Sequence, residues 1–289
     1  MHDVAAALRE AGLDPDAVAA LADAALAEDL AGGEDVTSVA TVPVDATATA
    51  GVVARSAGVV AGLDVAATVL LRAASRPLSI DAHVADGDTV APGQALLTAS
   101  GSARDLLLAE RTALNLLGHL CGVATLTRAW VDAVAGTGAR IRDTRKTTPL
   151  LRALEKHAVR CGGGVNHRMS LSDAALVKDN HAHAAGGVVE AYRRVAAQRP
   201  DIEVQVEADS LADALAVVEA GATSVLLDNF STDQLREAVR VLGSRATLEA
   251  SGGLTLDSAA AVAATGVHYL AVGALTHSAP VLDIGLDFS

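Results

Sequence analysis

The chain has 289 residues, of which 51% are hydrophobic, and this length fits one barrel-sized domain with a smaller companion. Aromatic residues make up only 2%, which disfavours nucleic-acid binding because few side chains can stack on bases. The formal net charge is −13, and two cysteines without metal-ligand spacing favour a reducing cytoplasm.

The region 1–113 is predicted to form an N-terminal α+β domain. It opens with two helical stretches that lack the pattern of a secretory signal, and it passes to alternating Thr and Val in "TSVATVPVDATATAGVVARSAGVVAG". The next stretch, "HVADGDTVAPGQALLTASG", has turns at Asp86–Asp88 and at Pro92-Gly93 between apolar runs. These turns predict a small antiparallel β unit.

A long helix is predicted over "ARDLLLAERTALNLLGHLCGVATLTRAWVDAV", which has helical periodicity throughout and links the two parts of the chain. Arg111 interrupts the apolar pattern of this helix. By sequence alone Arg111 is equally a surface residue and a site residue.

The region 114–281 is predicted to be a parallel α/β barrel, followed by a C-terminal tail, 282–289, that packs on the N-terminal domain. Short apolar strands alternate with Ala-rich helices, and the strand ends marked by Lys178, Glu207, Asp228, Glu249 and Gly273 are 29, 21, 21 and 24 residues apart. An earlier strand in "GARIRDTRKTT" brings the number of visible βα units to at least six. The barrel is either complete or open-faced.

The longest uncharged run, Ser258–Leu282, exceeds the length of a membrane span. Polar and Gly residues divide it into a helix, a turn, a strand and a loop. No membrane association is expected.

Cations gather in "RDTRKTTPLLR" and in the segment that follows it, although the chain as a whole is acidic. Residues at the carboxyl ends of parallel strands meet at one edge of a barrel, where ligands bind. The cationic residues predicted to share a pocket there suit a small polyanion; they are Arg145, Lys146, His167, Arg168 and Lys178.

Two strand-end carboxylates, Glu207 and Asp228, lie one βα unit apart and are placed to flank a hard cation such as Mg²⁺. Two Gly-containing loops, "SGG" at 251–253 and "GALTHS" at 273–278, follow the last two strands. Late barrel loops of this kind commonly hold phosphate through backbone N–H groups.

The stretch "RDTRKTTPLLRALEKHAVRCGGGVNHRMSLSDAALVKDNH" resembles the signature of the quinolinate phosphoribosyltransferases. The resemblance runs through most of the chain and includes "EDLAGGEDVTS", "ERTALNLLGHLCGVAT", "VEADS", "LLDNF", "EASGG" and "GALTHS". It implies transfer of a phosphoribosyl group from phosphoribosyl pyrophosphate to quinolinate with decarboxylation, which gives nicotinate mononucleotide in de novo NAD biosynthesis.

The resemblance also implies a fold, an assembly and a set of site residues. The fold is that of a type II phosphoribosyltransferase, an open-faced (β/α) barrel with an α+β sandwich-like N-terminal domain, in a homodimer where the partner supplies Arg111. The acid would be bound by Arg111, Arg145, His167, Arg168 and Lys178. Phosphoribosyl pyrophosphate with Mg²⁺ would be bound by Lys146, Glu207, Asp228, Ser251, Gly252, Gly253, Gly273 and His277. Catalytic roles fall to Lys146, Lys178, Glu207 and Asp228.

Two residues depart from the family pattern. Leu150 stands where Gly usually follows the proline of "TRKTTP", which bears on the mobility of that loop. His157 stands where Tyr is usual, and it is expected to change only helix packing.

Three other functions stay open at this point. One is a relative on the same scaffold, such as a ModD-like protein of molybdenum gene clusters or a nicotinate-specific phosphoribosyltransferase. Another is a Schiff-base aldolase that uses Lys178. The third is a non-catalytic sensor of a phosphate ligand, which would bind without turnover.

Overall fold

The computed structural model describes residues 3–288 and divides the chain into two compact units. The first unit contains the chain up to Leu126, the segment Ala153–Gly163 and the chain from Ser278. The second contains Thr127–Arg152 and Gly164–His277. The domain boundaries predicted after residues 113 and 281 differ from the edges of these units, and they stay a prediction about separate domains.

Three helices open the first unit, each capped by an aspartate. The side chains of Asp3, Asp14 and Asp35 accept hydrogen bonds from backbone N–H groups of the first turns. The third of these helices lies within the Thr/Val-rich stretch, where only two helical stretches before it were expected. The helices from the N-terminus to the segment of Ala153–Gly163 are α1 (Val4–Glu10), α2 (Pro15–Leu30), α3 (Val36–Thr41), α4 (Leu63–Ala73), α5 (Ala103–Ala133) and α6 (Arg152–Cys161).

The first unit also contains antiparallel strands, as the turn pattern predicted. Gly87 and Gly93, with φ of 96° and 84°, make the two predicted turns. The strands are β1 (Thr47–Ala54), β2 (Gly58–Val59), β3 (Ser79–Ala82), β4 (Thr89–Val90), β5 (Ala95–Ser102) and β12 (Ile284–Phe288). Four of them form a sheet in the order β12-β1-β5-β3, and β2 pairs with β4.

The helix α5 is a single helix of 31 residues, as its periodicity predicted. Two glycines on it let the C-terminal segment approach closely: a Cβ at Gly122 would lie 2.1 Å from the carbonyl oxygen of Pro280. Beside it, the backbone N–H of Leu282 donates to the carbonyl of Gly118 at 3.0 Å. The chain thereby reaches β12, which pairs antiparallel with β1.

The second unit is built on a six-stranded parallel sheet in the order β6-β11-β10-β9-β8-β7. Its strands are buried apolar runs, as parallel sheets covered by helices require. The strands are β6 (Arg140–Arg142), β7 (Ala175–Val177), β8 (Val204–Ala208), β9 (Ser224–Asp228), β10 (Thr247–Ser251) and β11 (Tyr269–Ala271). Since β6 and β7 are the edges of this sheet, the predicted α/β architecture is confirmed in its open-faced form.

Helices follow the strands of the second unit in alternation. They are α7 (Asp179–Ala185), α8 (Val188–Gln198), α9 (Leu211–Glu219), α10 (Thr232–Leu242), α11 (Leu256–Ala263) and α12 (Ala274–His277). Ser210, Ser231 and Thr255 cap α9, α10 and α11, so each strand-end loop closes on a helix start.

The uncharged run Ser258–Leu282 contains most of α11, then β11 and α12, in agreement with its predicted division. Among the helices of residues 3–288, none combines the length and the apolar character needed to cross a membrane.

Candidate active site

A cavity of about 350 Å³ lies at the carboxyl ends of the strands of the second unit. The predicted residues that line it are Arg145, Lys146, His167, Arg168, Lys178, Glu207, Asp228 and Ser251. The strand-end argument therefore brings together residues that are up to 106 positions apart in the sequence, from Arg145 to Ser251.

Two arginines, Arg145 and Arg168, gather positive charge at this cavity. The Nε of Arg145 is buried and has no hydrogen-bond partner within residues 3–288. Burial lowers the pKa of Arg168, and the positive charge of Arg145 lowers it further. Both observations describe guanidinium groups gathered without enough negative charge, which an anionic ligand would supply.

The other cations of "RDTRKTTPLLR" bind the protein itself. Arg142 donates from Nη1 to Glu249 Oε2 at 2.7 Å, and its guanidinium lies 3.8 Å from the centre of the Tyr269 ring. Arg152 donates from Nε to Thr147 Oγ1 and from Nη1 to the carbonyl of Met169, both at 3.1 Å. The cation cluster of the sequence thus separates into ligand-facing and structural members.

Glu207 and Asp228 come from the neighbouring strands β8 and β9. Burial raises the pKa of Glu207, and the charges of Asp228 and Asp179 also raise it, while Lys178 opposes them with its Nζ 3.4 Å from Glu207 Oε2. Asp228 accepts a hydrogen bond from Asn229 Nδ2 at 2.7 Å. The two carboxylates are close enough to repel each other, so a cation between them would be stabilised.

The loop after β10 contains two glycines in left-handed backbone conformation. Gly252 has φ of 85°, and a Cβ there would lie 2.2 Å from Asn229 Oδ1; Gly253 has φ of 61° and open space around it. Ser251, at the end of β10, lines the cavity. No side chain other than hydrogen fits at Gly252 without moving Asn229.

The loop after β11 brings three predicted phosphate-site residues together. A Cβ at Gly273 would lie 3.1 Å from Lys146 Cδ and 3.2 Å from His277 Nε2. Thr276 Oγ1 donates to the carbonyl of Lys146 at 2.8 Å, which fixes the Lys146 backbone beside this loop. Gly252, Gly253, Gly273 and His277 are themselves not among the residues that line the cavity.

A larger cavity of about 460 Å³ opens beside the same sheet and shares Glu207 with the first. It is lined by Asp179, His183, Asp209 and Asp213 among others. Its many carboxylates make it unsuitable for an anionic ligand, so the smaller, cation-lined cavity is the candidate active site.

A set of buried polar residues beneath the cavity has no role in the sequence-based prediction. Asp143 is fully buried and accepts from Asn166 Nδ2 at 2.6 Å and from the His167 backbone N–H at 2.8 Å, which fixes the loop that carries His167. Gln205 lies between His167 and Glu249, at 2.7 Å and 3.0 Å. Glu249 was recognised only as a strand end. The sequence does indicate a buried hydrogen bond at Gln205, because a single amide side chain in the buried strand "VQVEA" needs a partner.

Arg111 belongs to the first unit and does not line the cavity. Its side chain is 65% exposed on α5, and its guanidinium lies 3.9 Å from Glu110.

The structure also places the two residues that depart from the family pattern. Leu150 is 92% exposed with φ of 70°, and His157 hydrogen-bonds to Asp86 at 2.7 Å, so its effect is not limited to packing.

Two family models match the chain in succession. The model described as Quinolinate phosphoribosyl transferase, N-terminal domain, matches residues 35–121. The model described as Quinolinate phosphoribosyl transferase, C-terminal domain, matches residues 123–287.

Curated relatives and solved structures agree with these matches. The nicotinate-nucleotide pyrophosphorylase (carboxylating) of Mycobacterium leprae is 53% identical over 271 residues, 91% of this chain and 94% of that protein. The structure of the nicotinate-nucleotide pyrophosphorylase from Francisella tularensis has a TM-score of 0.91 and 34% identity, and covers 96% of this chain and 98% of that one. Human nicotinic acid phosphoribosyltransferase, at 14% identity and a TM-score of 0.62, shares the fold alone.

Proposed function

The chain belongs to the quinolinate phosphoribosyltransferase family, and we propose that it transfers the phosphoribosyl group of phosphoribosyl pyrophosphate to quinolinate. The products are nicotinate mononucleotide, pyrophosphate and CO₂, as de novo NAD biosynthesis requires. The observation that carries the proposal is a single cavity that combines a group of cationic side chains, among them Arg145 with its unpartnered Nε, with the carboxylates of Glu207 and Asp228.

Quinolinate would occupy the cationic side of the cavity. Arg145 and Arg168 offer planar guanidinium groups that bind carboxylates in bidentate fashion, and Lys178 offers a point charge. The buried, unpartnered Nε of Arg145 supports this placement, because a carboxylate would supply the missing acceptor. His167 lines the same cavity and would contact the bound acid.

Phosphoribosyl pyrophosphate would extend from Glu207 and Asp228 to the late loops. The contacts proposed there are backbone N–H groups at Ser251, Gly252, Gly253 and Gly273, with the side chains of Lys146 and His277. The open space at Gly253 and the close grouping of Lys146, Gly273 and His277 support an anion-binding cradle.

The chemistry of the carboxylates fits Mg²⁺ as well. Oxygen ligands from Glu207 and Asp228 are those that Mg²⁺ prefers; burial, and to a lesser extent the charge of Asp228, raises the pKa of Glu207, so a cation held between the two carboxylates would be stabilised. Bound there, Mg²⁺ would neutralise charge on the pyrophosphate. Its direct contact with these residues is part of the proposal.

The reaction has two steps, and the chain's carboxylates act in the first. The pyridine nitrogen attacks the anomeric carbon as the bond to pyrophosphate breaks, so positive charge develops on the sugar; Glu207 and Asp228 would stabilise it. The new C–N bond makes the ring a pyridinium. Loss of the adjacent carboxylate as CO₂ then leaves an electron pair on the ring carbon, which the pyridinium stabilises until a proton adds. No organic cofactor is needed.

Other functions are less consistent with the site. A Schiff-base aldolase needs a lysine free to attack a carbonyl, whereas Lys178 Nζ forms an ion pair with Glu207 at 3.4 Å. A nicotinate-specific or ModD-like relative would leave part of the cation set without a carboxylate. A non-catalytic sensor has no use for the paired carboxylates.

We also propose a homodimer in which Arg111 of the partner subunit completes the acid-binding site, and a cytoplasmic location. The exposed, weakly paired guanidinium of Arg111 supports the first, and the two free cysteines, Cys121 and Cys161, fit the second. Mixing inactive Arg111→Ala and Arg145→Ala chains would test the sharing. Random reassociation restores about a quarter of wild-type sites if the sites are shared between subunits. No restoration contradicts a shared site.

The proposed reaction is tested by supplying quinolinate, phosphoribosyl pyrophosphate and Mg²⁺ and following nicotinate mononucleotide and CO₂ together. Equal yields of the two products support the carboxylate-losing transfer. Binding of quinolinate without turnover would identify a sensor. Borohydride trapping of a carbonyl substrate on Lys178 would identify an aldolase.

A further inference from the structure

His167 lines the candidate active site, yet both of its ring nitrogens are engaged inside the protein. The backbone N–H of Arg168 donates to Nδ1 at 2.7 Å, and Nε2 lies 2.7 Å from Gln205 Oε1. Because a backbone amide only donates, Nδ1 must accept, and the single ring hydrogen of a neutral imidazole is then on Nε2. This geometry fixes one tautomer of His167.

The orientation of Gln205 is fixed in turn by Glu249. A carboxylate only accepts, so the amide nitrogen of Gln205 must face Glu249 Oε2, at 3.0 Å, and its oxygen must face His167. Arg142 donates to the same Oε2 at 2.7 Å. Arg142 and the Gln205 amide therefore both donate to Glu249, and Gln205 cannot turn over without breaking its hydrogen bonds to Glu249 and to His167.

One carboxylate oxygen of Glu249 accepts no hydrogen bond from the described residues. Its side chain is fully buried, and its Oε1 has no hydrogen-bond partner within residues 3–288. His167 Nε2 lies 3.8 Å from this atom. Without the Gln205 amide between them, the His167 ring would turn towards Glu249 and away from the Arg168 N–H, and the freed Nδ1 would take a second proton as the ring forms an ion pair with Glu249.

We propose that Gln205 is a positioning residue for the transfer reaction, which holds His167 as a neutral, Nε2-protonated ring and keeps it apart from Glu249. The proposal rests on the proposed function of the cavity. It follows that the acid-binding residues have different roles. Arg145, Arg168 and Lys178 supply the positive charge, and His167 contacts the acid without charge.

A neutral His167 suits the chemistry of the first step. The lone pair of the pyridine nitrogen must stay free to attack the anomeric carbon. An imidazolium in the cavity would have a proton to donate to that nitrogen, whereas a ring whose only N–H is given to Gln205 has none. Gln205 thereby protects the nucleophile although it touches no substrate.

The test combines a spectroscopic and a kinetic reading of Gln205→Met, which keeps the approximate volume of the side chain and removes both hydrogen bonds. Histidine-selective ¹⁵N spectra are recorded near neutral pH, and the His167 signals among the nine histidines are assigned by their loss in His167→Asn. In the wild type, Nε2 should be protonated and Nδ1 unprotonated. In Gln205→Met both nitrogens should be protonated, and Gln205→Met/Glu249→Gln should lose the second proton.

The kinetic reading separates positioning from general damage. In Gln205→Met the KM for quinolinate should rise roughly tenfold, while the KM for phosphoribosyl pyrophosphate stays within about twofold. Gln198→Met, at an exposed position of α8, makes the same chemical change and should alter neither value. If Gln205→Met does not fold, Gln205→Leu gives the same spectroscopic prediction, since it also removes both hydrogen bonds and adds no charge.

Three results would overturn the proposal. They are a doubly protonated or Nδ1-protonated His167 in the wild type, a His167 spectrum unchanged by the loss of Gln205, and an unchanged KM for quinolinate in a variant that has folded. Failure of the wild type to turn over quinolinate would reject the proposed function instead, and the wild-type spectrum would still decide how His167 is held.

Discussion

The two units of the molecule treat their buried polar groups differently. In the first unit, Asp86 accepts from His157 Nε2 at 2.7 Å and from the backbone N–H groups of Gly62 and Leu63, at 2.8 and 3.1 Å. Within residues 3–288, the buried side-chain atoms that lack a partner all lie in the second unit; they belong to Arg142, Arg145, Ser224 and Glu249. Two of these four residues, Arg145 and Glu249, line the candidate active site, so part of the unmet hydrogen-bonding capacity lies where a ligand would bind.

The pKa shifts of one carboxylate in each unit show the same contrast. Burial alone would raise the pKa of Asp86, but the hydrogen bonds from His157, Gly62 and Leu63 outweigh it, so the pKa is lowered. In the second unit burial raises the pKa of Glu207, and the Lys178 ammonium does not offset it. A carboxylate that folding stabilises is structural, and one that folding destabilises is held for function.

The largest predicted effect follows from the unpartnered Arg145. Arg145→Ala should lower kcat/KM for quinolinate roughly 1,000-fold, because a buried, bidentate carboxylate contact is lost. The thermal midpoint should change little, since Arg145 Nε has no partner to lose within residues 3–288. Steady-state kinetics and calorimetry check both parts. Arg236→Ala, which removes a surface pair with Asp233, is the control and should leave kcat/KM unchanged.

The glycines after β10 should differ sharply from each other. Gly252→Ala combines a left-handed φ with a Cβ placed 2.2 Å from Asn229 Oδ1, and it should cost about 2 kcal/mol or more of unfolding free energy and raise the KM for phosphoribosyl pyrophosphate. Gly253→Ala has the φ penalty without the clash and should cost about 1 kcal/mol. Denaturant titration measures both, and equal losses would contradict the account of Gly252.

Glu207→Gln should raise stability while it lowers activity. The pKa of Glu207 is above the ordinary value of 4.5 in the folded state, so its ionisation opposes folding increasingly as pH rises through the folded pKa. The variant should therefore melt at a higher temperature than wild type at neutral pH, with the difference lost near about pH 4. Turnover should fall roughly 100-fold. A variant less stable than wild type at neutral pH would show that the Lys178 pair dominates instead.

The smallest effect is expected at Leu150. Its φ of 70° is strained for a side chain that is 92% exposed and buries nothing. Leu150→Gly should stabilise the fold by roughly 0.5 kcal/mol, since relief of about 1 kcal/mol of strain is partly offset by the entropy of Gly in the unfolded chain. Leu171→Gly, at an exposed position outside the left-handed region, should destabilise by a similar amount.

The sequence predicted the parts of the site that depend on chain order. Strand periodicity placed Lys178, Glu207 and Asp228 at one edge of a parallel sheet, and the cavity contains all three. It did not predict the network beneath them, because Arg142, Gln205 and Glu249 come from alternate strands of the sheet, 44 to 107 residues apart. Contacts between inward-facing side chains depend on the order of the strands in the sheet. No local sequence pattern encodes that order.

The N-terminal unit shows the same limit. Turn chemistry predicted the antiparallel strands, whereas the helix after Asp35 was missed because a single capping residue outweighed the alternation of Thr and Val that followed it. His157 was read as a packing residue, since its partner Asp86 lies 71 positions away.

The comparison of kcat/KM for quinolinate and for nicotinate tests most directly the claim that the cation-lined cavity is a dicarboxylate site. Nicotinate lacks one carboxylate, so its binding leaves a buried cation without a partner, and quinolinate should be preferred by at least about 100-fold. Arg145→Ala should narrow that ratio. Comparable values of kcat/KM for the two acids in the wild type would contradict the account.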